Sequence, residues 1–219
     1  MKFTEKIVPQ PIIDLYKHYK NLYAADQVRK KWELAGKPVP PPHIIKQQAI
    51  RYYQKKSGYN ILVETGTYKG DMIFAQMDSF EKIYSIELSQ VLFDKAKKRF
   101  QKHPKISLLQ GNSGEIIDKV LKELKEPAIL WLDGHYSGGI TASSEKYCPV
   151  NEELEVVIAH NQLQHIILID DARCFTGEYS YPAISELKAI TGKNFAGYRF
   201  SIDEDIIRMV PEKFSSPGR

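Results

Sequence analysis

Between residue 58 and about residue 172 the chain alternates short apolar runs with longer helical patterns, and this alternation limits its fold more than any other feature. The runs at 60–63, 82–86, 106–109, 128–132 and 165–169 are rich in β-branched and aromatic residues. They read as buried strands. Ser89 is placed to cap a helix that buries Val91, Leu92, Ala96 and Phe100. Ser113 is placed to cap another, with Ile116, Ile117, Val120, Leu121 and Leu124 on one face. Residues 152–161 read as a third helix. Strands alternating with helices predict a parallel sheet covered on both faces.

The end of the chain departs from that rhythm. After a helix near 182–191, strand-like pieces at 197–202 and 206–210 flank the polar break Asp203-Glu204-Asp205, which reads as a hairpin. The expected fold class is therefore α/β: a Rossmann-like, seven-stranded, mostly parallel sheet with a terminal antiparallel hairpin. Residues 1–57 are polar, aromatic and basic, with helical stretches near 11–34 and 43–57 around Pro38-Val39-Pro40-Pro41-Pro42. They are expected to form a helical extension or cap on a domain spanning 58–219. Covering the ligand edge of the sheet and completing its core are both open roles for these helices.

Composition narrows the function classes. A chain of 219 residues suits one domain with such an extension. Lys plus Arg is 31 and Asp plus Glu is 27, a net charge of +4, too mild to demand nucleic acid as a partner. The basic run Lys95, Lys97, Lys98, Arg99, Lys102 and Lys105 reads first as a solvated helix face. No stretch reaches the ~18 apolar residues of a membrane span, and the opening residues lack an apolar signal core. Cys148 and Cys174 are too few for a disulfide framework and read as reduced thiols, so a cytoplasmic setting is expected.

Chemistry concentrates where strands end. The first runs into Glu64-Thr65-Gly66-Thr67-Tyr68-Lys69-Gly70, a G-x-x-x-G turn rather than the dinucleotide G-x-G-x-x-G. Gly66 permits a tight turn and close approach of a ligand, and Gly70 is expected early in the following helix. The second strand closes on Glu87, about twenty residues past Gly66, where a carboxylate can accept both hydroxyls of a ribose. The fourth strand ends at Asp133 and the fifth at Asp170-Asp171. Three carboxylates at one sheet edge repel unless protonated or bridged by cations, and an oxygen-rich cluster suits Mg²⁺, Ca²⁺ or Mn²⁺.

On these residues the sequence resembles the class I S-adenosylmethionine-dependent methyltransferases. The resemblance rests on Val63 to Gly70, Ile86-Glu87, Gly111-Asn112-Ser113 and Trp131-Leu132-Asp133, and covers about residues 45–211. It implies that Glu64 and Gly66 hold the methionine part of S-adenosylmethionine and Glu87 the ribose, with Asn112 or Ser113 at the adenine edge. Thr67, Tyr68, Gly70 and Asp133 join the implied cofactor contacts. Asn112 stands where family members often have an acid, and its side-chain carbonyl can still accept from the adenine amine. The strand-end carboxylates look like those of the divalent-metal-dependent catechol and caffeoyl O-methyltransferases, which carry an Asp-Asn pair where this chain has Asp170-Asp171. The resemblance thus implies Asp133, Asp170 and Asp171 as metal ligands.

One departure bears on the base. The catechol type uses a lysine near the fourth-strand aspartate, and none stands at 134–139. His135 and Asp133 are the candidate catalytic groups, with Tyr136, Arg173, Tyr179 and Tyr181 weaker ones. The polar loop 138–151 is a candidate lid over the mouth. The implied activity is methyl transfer to a hydroxyl of a small molecule or sugar, with or without a metal. Two alternatives stay open: a nicotinamide-dependent oxidoreductase that uses Glu87 on its ribose, and a non-catalytic binding protein on the same fold. Acceptor identity and homo-oligomerisation are left undecided by the sequence.

Overall fold

The structure, a computed structural model, describes residues 10–134 and 148–215. Two helices lead the chain: α1 (Gln10–Leu34) and α2 (His43–Ser57). Five strands then alternate with helices: β1 (Ile61–Thr65), α3 (Asp71–Gln76), β2 (Lys82–Glu87), α4 (Gln90–Phe100), β3 (Ile106–Gln110), α5 (Ser113–Glu123), β4 (Ala128–Leu132), α6 (Val150–Ala159) and β5 (Ile166–Ile169). Helix α7 (Ile184–Asn194) precedes the strands β6 (Tyr198–Asp203) and β7 (Ile206–Pro211).

The strands form one seven-stranded sheet in the order β3-β2-β1-β4-β5-β7-β6. β1 to β5 are mutually parallel, whereas β7 runs antiparallel to β5 and pairs with β6 as the expected hairpin. The chain winds outward from β1 through β2 to β3, then crosses back to β4 on the other side. The carboxyl ends of β1 and β4 therefore flank the topological switch point, where an open parallel sheet presents its ligand crevice.

Packing explains the apolar runs. All five residues of β1 and of β4 are buried. Val63, Leu130 and Ile167 pack with Ile117, Val157 and Leu187 of α5, α6 and α7 on one face. Leu62, Ile129 and Leu168 pack with Ile50, Ile73 and Phe100 of α2, α3 and α4 on the other. Each fully buried Leu, Ile or Phe contributes roughly 1.5–3 kcal/mol through area removed from water, so a sheet covered on both sides needs strands without polar alternation. Helix α2 belongs to this core, with Ile45 and Ile50 fully buried.

Four local expectations need correction. Val91 is exposed, because α4 turns Leu92, Ala96 and Phe100 inward instead. Ser89 occupies the start of α4 without a side-chain capping bond. At α5 the cap is Asn112, whose side chain accepts from the Gly114 N–H at 3.0 Å, and Ser113 is the first helical residue. Gly70 precedes α3 in the left-handed region (φ 74°) rather than lying inside that helix. Lys95, Lys97 and Lys98 lie on the exposed side of α4, while Arg99 turns back to Asp71 at 2.9 Å.

Candidate functional site

The turn after β1 is built by contact with its neighbours. Gly66 has φ 83°, and a Cβ there would lie 2.2 Å from the Asp133 carbonyl oxygen, so only glycine fits. Gly66 donates its N–H to the Ile86 carbonyl at 2.9 Å, and Asp133 donates its N–H to the Thr65 carbonyl at 3.2 Å. The ends of β1, β2 and β4 are thereby locked together at the switch point.

Glu87 completes that lock. Its Oε2 accepts the backbone N–H of Tyr68 at 2.7 Å and its Oε1 accepts that of Ser89 at 2.9 Å. Burial pushes its carboxyl up from the usual range, and these backbone N–H donors oppose the shift. Each carboxylate oxygen has a second lone-pair direction for a further hydroxyl donor. Gly111 donates to the Glu87 carbonyl at 2.9 Å, which places Asn112 and Ser113 beside it. Ser113 is buried, and its Oγ lies 3.1 Å from where a Gly134 Cβ would stand.

Glu64 is 2% exposed and accepts a hydrogen bond from Ser85 Oγ. Burial pushes its carboxyl up to about 8, with Ser85 opposing and the Glu87 charge adding to the rise. Desolvation raises Asp133 well above the ordinary range, with Asp170 adding to the effect and Lys46 opposing it. Glu64 thus feels both Glu87 and Asp133 around a single glycine turn, which gathers carboxyl groups that burial holds toward their protonated form. Such a donor set fits a cationic adenosyl sulfonium, whose charge would return these carboxyls toward their ionised form.

Asp170 follows β5, with its N–H on the Leu132 carbonyl at 3.0 Å, so it stands beside Asp133 as expected. Sequence reasoning missed what faces it. Lys46 Nζ, from α2, donates to Asp170 Oδ2 at 2.5 Å and to Asp171 Oδ1 at 2.9 Å. Burial opposes the Lys46 charge, yet the two aspartates hold its ammonium above the usual lysine range. Arg173 donates to Asp171 Oδ1 at 2.8 Å and to Asp205, a buried residue of the hairpin turn. No pattern in the sequence pairs Lys46 with Asp170, which is 124 residues away.

The implied divalent cation does not fit this arrangement. Its place between Asp170 and Asp171 is held by the Lys46 ammonium, and no three His, Cys, Asp or Glu side chains among the described residues converge as a metal site. His135, Tyr136 and most of the candidate lid lie outside the described residues. Tyr179 is exposed, whereas Tyr181 packs edge-on against Phe175. Cys148 and Cys174 are free, and burial pushes the Cys148 thiol up to about 12. No helix among the described residues is long and apolar enough to cross a membrane.

No family model and no curated protein matches the sequence. Solved structures do. An O-methyltransferase from Bacillus cereus in complex with S-adenosylhomocysteine aligns over 88% of this chain and 97% of its own, at 11% identity and TM-score 0.58. The O-methyltransferase TomG from Streptomyces achromogenes, in complex with S-adenosylmethionine, aligns over 95% and 98% at 11% identity and TM-score 0.57. The Podospora anserina methyltransferase PaMTH1, bound to S-adenosylhomocysteine, aligns over 94% and 99% at 12% identity and TM-score 0.54. With its seven-stranded sheet and terminal antiparallel hairpin, the chain has the Rossmann-like fold of the class I methyltransferases.

Proposed function

We propose that the protein is an S-adenosylmethionine-dependent methyltransferase whose acceptor is a hydroxyl of a small molecule or sugar. The observation that carries this reading is the convergence of Glu64, Glu87 and Asp133 on the Gly66 turn at the β1/β4 switch point. Glu87 would take the ribose hydroxyls, Gly66 and Glu64 the methionine part, and Asn112 and Ser113 the adenine edge. When bound, the cofactor supplies an electrophilic methyl, transferred as its C–S bond breaks, the acceptor O–C bond forms and sulfur keeps the electron pair. Asp133 is the described group placed to receive the acceptor's hydroxyl proton, because its raised affinity for protons makes its ionised form the stronger base. Holding the reactants in line at this edge accounts for much of the work, since orientation alone can supply ~7–11 kcal/mol of a barrier. The hydroxyl acceptor draws support from the O-methyltransferase names of the structural neighbours. A reducing, cytoplasmic setting accords with the two free thiols.

The nicotinamide reading is disfavoured by the glycine spacing and the sheet's end. The turn after β1 is G-x-x-x-G rather than G-x-G-x-x-G, and the sheet closes on an antiparallel hairpin. Incubation with S-adenosylmethionine carrying a labelled methyl, over a panel of sugars and phenols with and without EDTA, tests the proposal. Label in a hydroxyl product, falling at least a hundredfold in Asp133→Asn, is the expected result. Cofactor binding without transfer to any acceptor would favour a binding protein instead.

A further inference from the structure

Lys46 reaches the strand-end carboxylates from an unexpected direction. It sits in the first turn of α2, between Ile45, which is fully buried, and Gln47, which is nearly so. Gln47 is pinned in turn: its Nε2 lies 2.8 Å from His43 Nδ1, and its carbonyl accepts from Gln76 Nε2 at 3.0 Å. The lysine is thus mounted on a packed helix, with a side chain only 12% exposed.

Its ammonium lies within hydrogen-bond distance of both Asp170 and Asp171. The remaining oxygen of Asp170, Oδ1, accepts the Asp171 N–H at 2.8 Å, and Asp171 Oδ1 also receives Arg173. A Mg²⁺ or Mn²⁺ ion bridging the pair would need oxygens at ~2.0–2.2 Å and room for its waters. That ion and an ammonium already 2.5 Å and 2.9 Å from the same carboxylates exclude each other by contact and by charge.

We propose that Lys46 is a resident cation, a positioning residue that replaces a divalent metal between Asp170 and Asp171 and lets the acceptor side of the site work without one. This rests on the methyltransferase reading for its role in transfer, but its occupancy of the cation position stands without it. Lys46 keeps the two aspartates fixed beside Asp133, and so leaves the Glu64 and Asp133 carboxyls nearest Gly66 as the groups that face a cationic cofactor. Helix α2 thereby becomes part of the site's electrostatics rather than a cover alone.

The test is Mn²⁺ titration of the full chain, followed by electron paramagnetic resonance, on wild type, Lys46→Arg and Lys46→Gln. Wild type and Lys46→Arg are expected to leave Mn²⁺ free, and Lys46→Gln to bind it at least tenfold more tightly, with the gain abolished by Asp170→Ala. Any transfer activity of wild type should survive dialysis against EDTA. Mn²⁺ binding by wild type that Asp170→Ala abolishes would overturn the proposal, as would a folded Lys46→Gln with no gain. If Lys46→Gln does not fold, the wild-type and Lys46→Arg titrations decide alone. The metal readout requires no methyl transfer, so failure of the lysine assignment and failure of the methyltransferase reading give different results.

Discussion

The backbone N–H of Tyr68 donates to Glu87 Oε2 at 2.7 Å, so the acid that closes β2 is also the anchor of the turn that leaves β1. One side chain thus links the two segments expected to share a ligand. Removing it by Glu87→Ala should free the Tyr68 and Ser89 amides together. Hydrogen bonds to a charged acceptor contribute roughly 1.5–3 kcal/mol each, so amide exchange at both positions should accelerate by more than tenfold. Unchanged protection at Tyr68 would show that the turn does not depend on Glu87.

Gly66→Ala should be among the most damaging single-methyl additions in the chain. The new Cβ would meet the Asp133 carbonyl oxygen at 2.2 Å, and φ 83° is strained for alanine even without that contact. A loss on the order of 3 kcal/mol is expected, measured by urea unfolding. Gly192→Ala is the matched control, because a Cβ there meets nothing within 4 Å and the residue is helical. It should be neutral or mildly stabilising.

Helix α5 distinguishes two adjacent polar residues. Asn112→Ala removes a side-chain acceptor from the Gly114 N–H and should cost about 1 kcal/mol. Ser89→Ala, at the start of α4, removes no capping bond and should cost at most a few tenths of that. Equal losses in thermal denaturation would contradict the capping assignment.

Glu64 makes the ligand-free protein pH-dependent. With its folded pKa raised from 4.5 to about 8, the folded chain retains a proton that the unfolded chain releases. Its contribution is therefore most favourable at low pH and is lost as pH rises from about 4.5 through about 8. A sulfonium bound nearby would lower that pKa, so S-adenosylmethionine binding at pH 7 should release protons. Calorimetry in buffers of different ionisation enthalpy should show this release, and Glu64→Gln should reduce it, leaving the share that Asp133 contributes.

Much of the fold was legible because burial on both faces leaves a plain mark. The runs at 128–132 and 165–169 carry no polar alternation, and they become central strands. The Asp203-Glu204-Asp205 break marked the hairpin for the same reason: polar residues interrupt two apolar runs. Glu87 was legible through its spacing from Gly66, since a strand, turn and helix have fixed lengths. Lys46 was not, because its pairing with Asp170 depends on how an N-terminal helix docks across the sheet, and a lone lysine in an amphipathic helix looks solvated. Asp205 looks like a plain turn residue in the sequence, yet it is buried and its Oδ1 accepts the Arg173 N–H at 2.8 Å, fastening the segment after β5. Which polar neighbour caps α5 was equally hidden, since Asn112 and Ser113 are both good caps.

Isothermal titration of the wild-type chain with S-adenosylmethionine, with NADH as the comparison and Glu87→Gln as the control, bears most directly on the crevice. Saturable binding of S-adenosylmethionine in the ~1 µM–1 mM range usual for enzyme substrates, weakened at least tenfold in Glu87→Gln and absent for NADH, is the predicted result. No heat with S-adenosylmethionine in folded protein, or tight binding of NADH in its place, would contradict the assignment of this site.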